Sequence, residues 1–183
     1  SKAKKLCSER NTYTPFISVV IPTYNSENYI AETLQTVFRQ KYENYEVIIS
    51  DDGSQDKTRE IVKAIFNKFP NTRAKLLCNT HEGPGATRNR GIVEAGGEWI
   101  AFLDSDDLWF PEKLKKIAEF ISNSKQIDLV CNSEIQKYGN STKLLRYSEL
   151  FNNKKELFLS LYRKNTLSTS AVTVKTNLLL KAG

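Results

Sequence analysis

Short apolar blocks alternate with longer amphipathic ones along the first 130 residues of the chain. The short blocks are rich in β-branched residues and have the length of strands buried on both faces. They lie at residues 16–21, 46–50, 74–78, 99–103 and 127–131. The longer blocks repeat apolar residues every three or four positions, which predicts helices with one buried face. This alternation predicts an α/β fold with a mostly parallel central sheet flanked by helices on both faces.

Residues that start or stop helices mark the predicted helix boundaries. Asn25-Ser26 can cap the first helix, and Pro111 suits the first turn of the fourth. The third helix opens at Gly83-Pro84-Gly85 and runs to Gly96-Gly97. Beyond residue 131 the pattern weakens, and we predict a helix from Asn153 to Tyr162, a strand from Ala171 to Val174 and the start of a helix at the C-terminus.

Length and composition are those of one globular domain. At 183 residues the chain is long enough to bury about two-thirds of its unfolded surface. Residues 1–15 are a polar lead-in, and we expect residues 16–183 to form a single domain. No apolar run approaches the roughly 20 residues that span a bilayer. The three cysteines lack Cys-x-x-Cys spacing, so we expect reduced thiols and a cytoplasmic protein.

The chain is basic, with 27 Lys and Arg against 21 Asp and Glu and a net charge of +6. Such a charge favours anionic partners, which include phosphates, acidic lipid surfaces and nucleic acid. The basic residues are scattered, however, and no stripe of them is interleaved with aromatic residues. We therefore predict no nucleic-acid binding, while the charge would suit peripheral contact with the inner face of a membrane.

Three carboxylates follow the fourth predicted strand. In Trp99-Ile100-Ala101-Phe102-Leu103-Asp104-Ser105-Asp106-Asp107 a buried apolar run ends directly in an acidic cluster. Carboxylates this close repel one another unless a cation compensates them, and Mg²⁺ and Mn²⁺ prefer oxygen ligands. Because such sites complete their shell with water and substrate phosphates, the cluster indicates a metal that holds a phosphorylated substrate. A solvated acidic turn before a helix is the alternative interpretation.

Polar residues end three of the first four predicted strands. They are Thr23-Tyr24-Asn25, Asp51-Asp52 and Asp104-Ser105-Asp106, and in a parallel sheet they would converge on one edge, where ligands bind. The turn after the first strand contains no glycine, and no P-loop pattern is present. Phosphates would therefore be held by a metal and by side chains rather than by a glycine-rich loop.

Single side chains near these strand ends have the chemistry to hold a nucleotide. Tyr24 offers an aromatic face to a base, and Asp52 can accept hydrogen bonds from a ribose or a base N–H. Arg88, one turn into the third helix, can pair with a diphosphate through its planar guanidinium. Core packing, a turn carboxylate and a surface charge are the respective alternatives. His81, the only histidine, lies in a predicted loop, either as a general base or as an exposed residue.

Four motifs follow one another along the first 107 residues. They are Ser18-Val19-Val20-Ile21-Pro22-Thr23-Tyr24-Asn25, Asp51-Asp52-Gly53-Ser54, Gly85-Ala86-Thr87-Arg88-Asn89-Arg90-Gly91 and Phe102-Leu103-Asp104-Ser105-Asp106-Asp107. In order and spacing they resemble the successive signatures of family 2 glycosyltransferases. The resemblance covers about residues 15 to 130 and implies a GT-A fold, a nucleotide-sugar donor (usually UDP-linked), a divalent cation and inversion at the transferred anomeric carbon.

The resemblance also assigns roles to single residues. It implies that Asp106 ligates the cation (Mn²⁺ or Mg²⁺) directly, and that Asp104 contacts ribose or the metal through water. The residues that it implies for nucleotide-sugar binding are Pro22, Tyr24, Glu27, Asp52, Arg88, Asp104 and Ser105.

The carboxylate base that inverting transfer requires is the part that we do not find. In the family it lies in an acidic pair after a Gly-Phe-like turn, and no Glu-Asp pair occurs beyond residue 130. Glu134 and Glu149 are the local acids on the acceptor side. Our hypothesis is that the chain carries the donor half of the domain and that the base lies beyond Gly183, so no catalytic residue is assigned.

These inferences predict a glycosyltransferase for cell-surface polysaccharide or lipid-linked glycan synthesis, with a UDP-sugar donor and a glycan or polyprenyl-linked acceptor. A non-catalytic module that binds nucleotide sugars is the alternative from another class. A phosphotransferase of the haloacid-dehalogenase type is disfavoured, because Leu108 stands where its signature requires threonine.

Overall fold

The computed structural model describes residues 13–124, 126–149, 156, 160, 163 and 167–182. Strand and helix alternate first, and then a hairpin, an eighth strand and a fifth helix follow. The elements are β1 (Ile17–Thr23), α1 (Ile30–Phe38), β2 (Tyr45–Asp51), α2 (Thr58–Lys68), β3 (Ala74–Cys78), α3 (Pro84–Val93), β4 (Trp99–Phe102), α4 (Lys113–Asn123), β5 (Leu129–Cys131), β6 (Glu134–Tyr138), β7 (Ser141–Leu145), β8 (Val172–Lys175) and α5 (Thr176–Ala182).

The central sheet has the strand order β3-β2-β1-β4-β8-β5. The strands β3, β2, β1 and β4 pair in parallel, whereas β8 pairs antiparallel with both of its neighbours. Because β8 opposes both neighbours, β5 runs in the same direction as β4. The predicted mostly parallel sheet is confirmed, and β8 is the one described strand of this sheet that runs the other way.

Helices cover both faces of this sheet. Every residue of β1 is buried, and its side chains alternate between two apolar clusters. On one face, Val19 and Ile21 pack with the apolar sides of α1, α2 and α4. On the other face, Val20 packs with Ile92 of α3. A strand buried on both faces explains why residues 16–21 are apolar on both sides, with Ser18 as the one polar residue, instead of alternating between apolar and polar.

The first helix starts later than the sequence predicts, and the predicted cap at Asn25-Ser26 is wrong. Helix α1 begins at Ile30, and its N-cap position makes no side-chain capping hydrogen bond. Asn25, at φ 46°, instead accepts a hydrogen bond from the Gln55 N–H at 2.9 Å. The Ser26 hydroxyl lies 2.8 Å from that of Ser105. The two polar residues thus connect neighbouring loops, which leaves neither of them to cap the first turn of α1.

The region beyond β5 departs most from the sequence prediction. The hairpin of β6 and β7 was not predicted, since its exposed strands show no buried alternation. The predicted strand at Ala171–Val174 is confirmed as β8, shifted by one residue. The predicted helix from Asn153 to Tyr162 lies outside the described residues, apart from residues 156 and 160.

Two further sequence expectations concern the environment of the protein. Cys78 and Cys131 are free thiols, and burial raises the pKa of Cys131 to about 11, so this thiol stays protonated at neutral pH. Within the described part of the chain, no helix is long and apolar enough to cross a membrane.

Helix α3 lies unusually close to the sheet at Gly91. An added Cβ at this position would lie 2.5 Å from Cγ1 of Val20 in β1, well inside van der Waals contact. At Gly85, in the first turn of the same helix, an added Cβ would meet no atom within 4 Å. The closeness of α3 to β1 therefore depends on the missing side chain of Gly91.

We predict that Gly91→Ala destabilises the fold, whereas Gly85→Ala does not. Overpacking at Gly91 should lower the free energy of unfolding by about 1–3 kcal/mol. Alanine at Gly85 adds helix propensity without a clash, so this variant should be unchanged or more stable by up to about 1 kcal/mol. Urea denaturation of both variants checks this, and equal stability of the two would contradict the close packing of α3.

Candidate functional site

The carboxyl ends of β1, β2 and β4 meet at one edge of the sheet. Thr23 at the end of β1 is in register with Asp51 at the end of β2, and its carbonyl accepts the Asp52 N–H at 2.8 Å. Ser105, after β4, is joined to the loop after β1 through Ser26, with 2.8 Å between the hydroxyl oxygens. The predicted convergence of the three polar strand ends is therefore confirmed, and we call this edge the carboxyl rim.

Asp51 has a structural role at the carboxyl rim. Its carboxylate is fully buried and lies 2.5 Å from the Arg59 Nε of α2. The same carboxylate accepts the Ser54 N–H at 3.1 Å. This pairing raises the pKa of Arg59. Asp51 thus fixes the loop between β2 and α2 through groups of the chain itself.

Asp52 joins the end of β2 to the loop before α3. Its buried carboxylate accepts the N–H groups of Glu82 and Gly83, each at 2.9 Å. The Nδ1 of His81 lies 2.8 Å from Oδ2 of the same carboxylate. Burial would raise the pKa of Asp52, but these N–H groups, the Thr87 hydroxyl and His81 together lower it below its ordinary value. Asp52 is therefore ionised at neutral pH and well ordered.

Tyr24 presents an aromatic ring beside Asp52. The side chain is about half exposed, at 47%, and its ring is stacked on the imidazole of His81 with 4.4 Å between the centroids and 27° between the planes. Pro22, two residues earlier in β1, is buried and in register with Ser50 of β2. The loop histidine of the sequence analysis thus belongs to the carboxyl rim.

Glu27 connects two loops at this rim. Its Oε2 accepts the Lys57 N–H at 3.0 Å, and its own N–H donates to Asp56 Oδ2 at 3.0 Å. Asp56 in turn accepts the N–H of Thr58, the first residue of α2, at 3.0 Å. In this structure the Glu27 carboxylate therefore binds the backbone at the start of α2.

Arg88 and Asp104 form an ion pair on the opposite side of the rim. The Arg88 Nη2 lies 2.6 Å from Asp104 Oδ1, and both side chains are partly exposed. The Arg88 Nε is buried and has no hydrogen-bond partner among the described residues. A buried guanidinium N–H without an acceptor is costly in a folded protein. This position therefore suits an anionic ligand that can accept a second hydrogen bond.

Asp106 is the exposed carboxylate of the acidic cluster. The described residues contain no group of three or more His, Cys, Asp or Glu side chains that could by itself hold a metal ion. Two carboxylates, Asp104 and Asp106, do fit a Mg²⁺-type site, because such a site takes one or two protein carboxylates together with phosphate oxygens and water. The donor set thus matches a cation that arrives with a phosphorylated ligand.

The acidic cluster creates a negative potential, and the raised pKa of Asp107 is one sign of it. Burial raises the pKa of Asp107 in spite of a hydrogen bond with Ser170, and the charges of Asp106, Asp104 and Glu134 raise it further. Repulsion among these acids favours a cation at the rim.

Sequence reasoning missed two residues that support this loop. Ser170 accepts the Asp104 N–H with its hydroxyl at 2.9 Å, and its carbonyl accepts a hydrogen bond from the Lys113 Nζ at 2.7 Å. Lys113 also lies 4.3 Å from the ring centroid of Trp109, and burial lowers its pKa to about 7. The sequence shows Lys113 only as one of the scattered basic residues, because Ser170 is more than fifty residues away.

The acids on the acceptor side have partners of their own. Glu134 begins β6, and its Oε1 accepts a hydrogen bond from the Gln136 Nε2 at 2.8 Å. Glu149 pairs with Arg146, with 3.3 Å between its Oε1 and the arginine Nη1. The catalytic base that the sequence places beyond Gly183 lies outside the described residues, as Gly183 itself does. Its position therefore stays a prediction.

The chain is similar in sequence and in fold to known glycosyltransferases. The chain is 36% identical over 167 residues to an uncharacterized glycosyltransferase of Haemophilus influenzae, covering 88% of this chain and 62% of that protein. It is 33% identical over 144 residues to the Escherichia coli UDP-Glc:alpha-D-GlcNAc-diphosphoundecaprenol beta-1,3-glucosyltransferase WfgD. This match covers 75% of this chain and 55% of WfgD. The crystal structure of S. aureus TarS 1-349 in complex with UDP is 31% identical, with a TM-score of 0.66 over 91% of this chain and 48% of that one.

The fold is that of the GT-A class, which confirms the fold implied by the sequence motifs. The chain belongs to glycosyl transferase family 2, whose family model matches residues 18–177. It spans between about half and three-fifths of the length of these relatives. The resemblance stated from the motifs is confirmed, and the phosphotransferase alternative has no support.

We predict that Lys113 makes stability depend on pH. Because the folded-state pKa is about 7 and the ordinary value is 10.5, the unfolded chain binds more protons between these values. The free energy of unfolding should therefore rise as the pH increases from 7 towards 10, since the cost of burying a charged amine disappears.

Urea denaturation at pH 7 and pH 9 measures this effect by comparing the wild type with Lys113→Met. The stability of the wild type should increase relative to that of the variant at the higher pH. Lys115→Met, which removes an exposed lysine of the same helix, is the control and should follow the wild type. Parallel behaviour of the Lys113 variant and the wild type would contradict the prediction.

Proposed function

We propose that the chain binds a nucleoside-diphosphate sugar, with UDP as the nucleotide, at the carboxyl rim. Within the whole protein, it would transfer the sugar to a glycan or lipid-linked acceptor. The observation that carries this proposal is the pairing of Asp104 with Arg88, whose buried Nε lacks an acceptor among the described residues, beside the exposed carboxylate of Asp106. A diphosphate with a divalent cation satisfies all three groups at once.

The nucleoside part would lie over the ends of β1 and β2. The exposed ring of Tyr24 is a platform for the base, and Asp52 is ionised, so it accepts an N–H. Pro22, buried at the end of β1, would lie beneath this position. Glu27 would contribute by holding the surrounding loops, since its carboxylate binds the start of α2. UDP is favoured because the names of WfgD and the TarS complex specify UDP compounds.

The diphosphate would lie between Arg88 and the acidic cluster. Asp106 would ligate Mn²⁺ or Mg²⁺ directly, while Asp104 would contact the ribose or the hydrated ion, and Ser105 would line the same loop. Such a cation supplies charge stabilisation as negative charge develops on the departing nucleoside diphosphate. The fork of Arg88 adds two fixed N–H donors to the phosphate oxygens.

Transfer with inversion also needs a base for the acceptor hydroxyl. We assign this role to no described residue, and we propose that residues 16–183 supply the donor half of the catalytic domain. The name of WfgD specifies a lipid-linked diphosphate acceptor. This acceptor class, together with the net charge of +6, favours a protein that acts in the cytoplasm at an anionic membrane face. There it would take part in the synthesis of a cell-surface glycan.

We predict that UDP binding depends on a divalent cation and on Asp106. Calorimetric titration with UDP should give tighter binding with Mn²⁺ than without it, and Asp106→Ala should lose at least about tenfold in affinity, or about 1.4 kcal/mol. Asp128→Ala removes an exposed carboxylate outside the rim and should bind as the wild type does. Metal-independent binding that survives in Asp106→Ala would contradict this placement of the cation.

We also predict that Arg88 binds the diphosphate and does not contribute to binding of the nucleoside. Arg88→Lys keeps the charge but loses the fork, so affinity for UDP should fall while affinity for uridine stays unchanged. Arg90→Lys is the matched control, because Arg90 lies on the same helix and pairs with Glu82. Equal losses for UDP and uridine in Arg88→Lys would indicate a general structural effect.

A further inference from the structure

His81 contacts the two groups that would receive the base. Its imidazole is stacked on the ring of Tyr24, with the centroids 4.4 Å apart. Its Nδ1 lies 2.8 Å from Asp52 Oδ2 and 3.2 Å from the main-chain carbonyl oxygen of Asp52. These contacts lie at the carboxyl rim and on the nucleoside side of it. None of the roles proposed above uses this histidine.

An imidazole and a nucleobase offer the same chemistry to this part of the rim. Each is a flat aromatic ring that stacks on a tyrosine, and each presents an N–H at its edge to a carboxylate. A ring inserted between two stacked rings needs a stacking distance to each of them, so the two outer centroids must lie much farther apart than those of one stacked pair, about 4.5 Å. The observed spacing of 4.4 Å therefore excludes a base between Tyr24 and His81.

The imidazole can leave without disturbing the rest of the rim. The His81 side chain is 57% exposed, so rotation about its own side-chain bonds moves the ring into solvent. The backbone beside it stays fixed, because Asp52 also accepts the N–H groups of Glu82 and Gly83. These two hydrogen bonds keep the carboxylate oriented and stabilise its charge when the imidazole departs.

We propose that His81 is an internal competitor of the nucleobase. It covers Tyr24 and pairs with Asp52 when no nucleotide is bound, and the base of the donor displaces it. The displacing ligand is a nucleotide whose base presents an N–H to Asp52, as uracil does. This inference rests on the proposed function, since it concerns the nucleoside side of the same site. His81 then lowers affinity for ligands that carry the base, whereas ligands that have phosphates but no base leave it in place and bind with unchanged affinity.

Calorimetric titration of His81→Ala with UDP and Mn²⁺ tests this competition. Removal of a stacked ring and its hydrogen bond at a half-exposed position should tighten binding by about three- to tenfold. Uridine should gain by the same factor, whereas the affinity for inorganic diphosphate should stay unchanged. Thr80→Ala, an exposed neighbour in the same loop, is the matched control. Unchanged or weaker UDP binding in His81→Ala overturns the proposal.

Nuclear magnetic resonance gives a second readout on the wild type. The chain has a single histidine, so its imidazole protons can be assigned without ambiguity, and the ring current of Tyr24 displaces their resonances. Addition of UDP with Mg²⁺ should return them to the positions of a free histidine, whereas diphosphate with Mg²⁺ should not.

The two measurements separate this inference from the proposed function. If calorimetry shows UDP binding while the imidazole resonances of His81 do not shift, the proposed role of His81 is wrong and the proposed nucleotide site still stands. Absence of UDP binding in both the wild type and His81→Ala would overturn the proposed function, and the competition with it.

Discussion

The parallel pairing of β1 with β2 on one side and β4 on the other is the constraint on which the rest of the structure depends. Because the three strands run in the same direction and in register, their carboxyl ends deliver three separate chain segments to one edge. The buried, two-sided character of β1 holds this arrangement, since apolar clusters press on it from both faces. The Tyr24 ring, the buried Asp52 carboxylate and the acidic loop after β4 therefore lie at one edge, although they are far apart in the sequence.

The acidic residues at this edge differ in the groups that they contact, and these contacts distinguish the carboxylates that hold the fold from those that are available to a ligand. Asp51 forms an ion pair with Arg59, and Asp52 accepts hydrogen bonds from backbone N–H groups and lies beside His81. Asp104 forms an ion pair with Arg88. Asp106 is exposed, and it is the carboxylate at which we propose a cation. Residue type alone does not separate these four carboxylates, whereas burial and partners do.

The sequence predicts those parts of the fold that depend on local periodicity. The β-branched runs and amphipathic segments give β1 to β5 and the helices between them, because each buries a regular set of side chains. The start of α1 and the support of Asp104 by Ser170 depend on hydrogen bonds between residues far apart in the chain. The stacking of His81 on Tyr24 is of the same kind. Such contacts leave no periodic trace, so no local pattern could reveal them.

The contact between Gly91 and Val20 has a consequence for how the protein can change. Helix α3 carries Arg88, and the loop before it supplies the N–H groups that Asp52 accepts. Its distance from the sheet therefore sets the position of the guanidinium relative to the acidic loop and the shape of the cradle around Asp52. Core volume at β1 and the geometry of the proposed ligand site are therefore coupled. Substitutions beneath α3, in residues that would touch no ligand, should alter nucleotide preference at the proposed site.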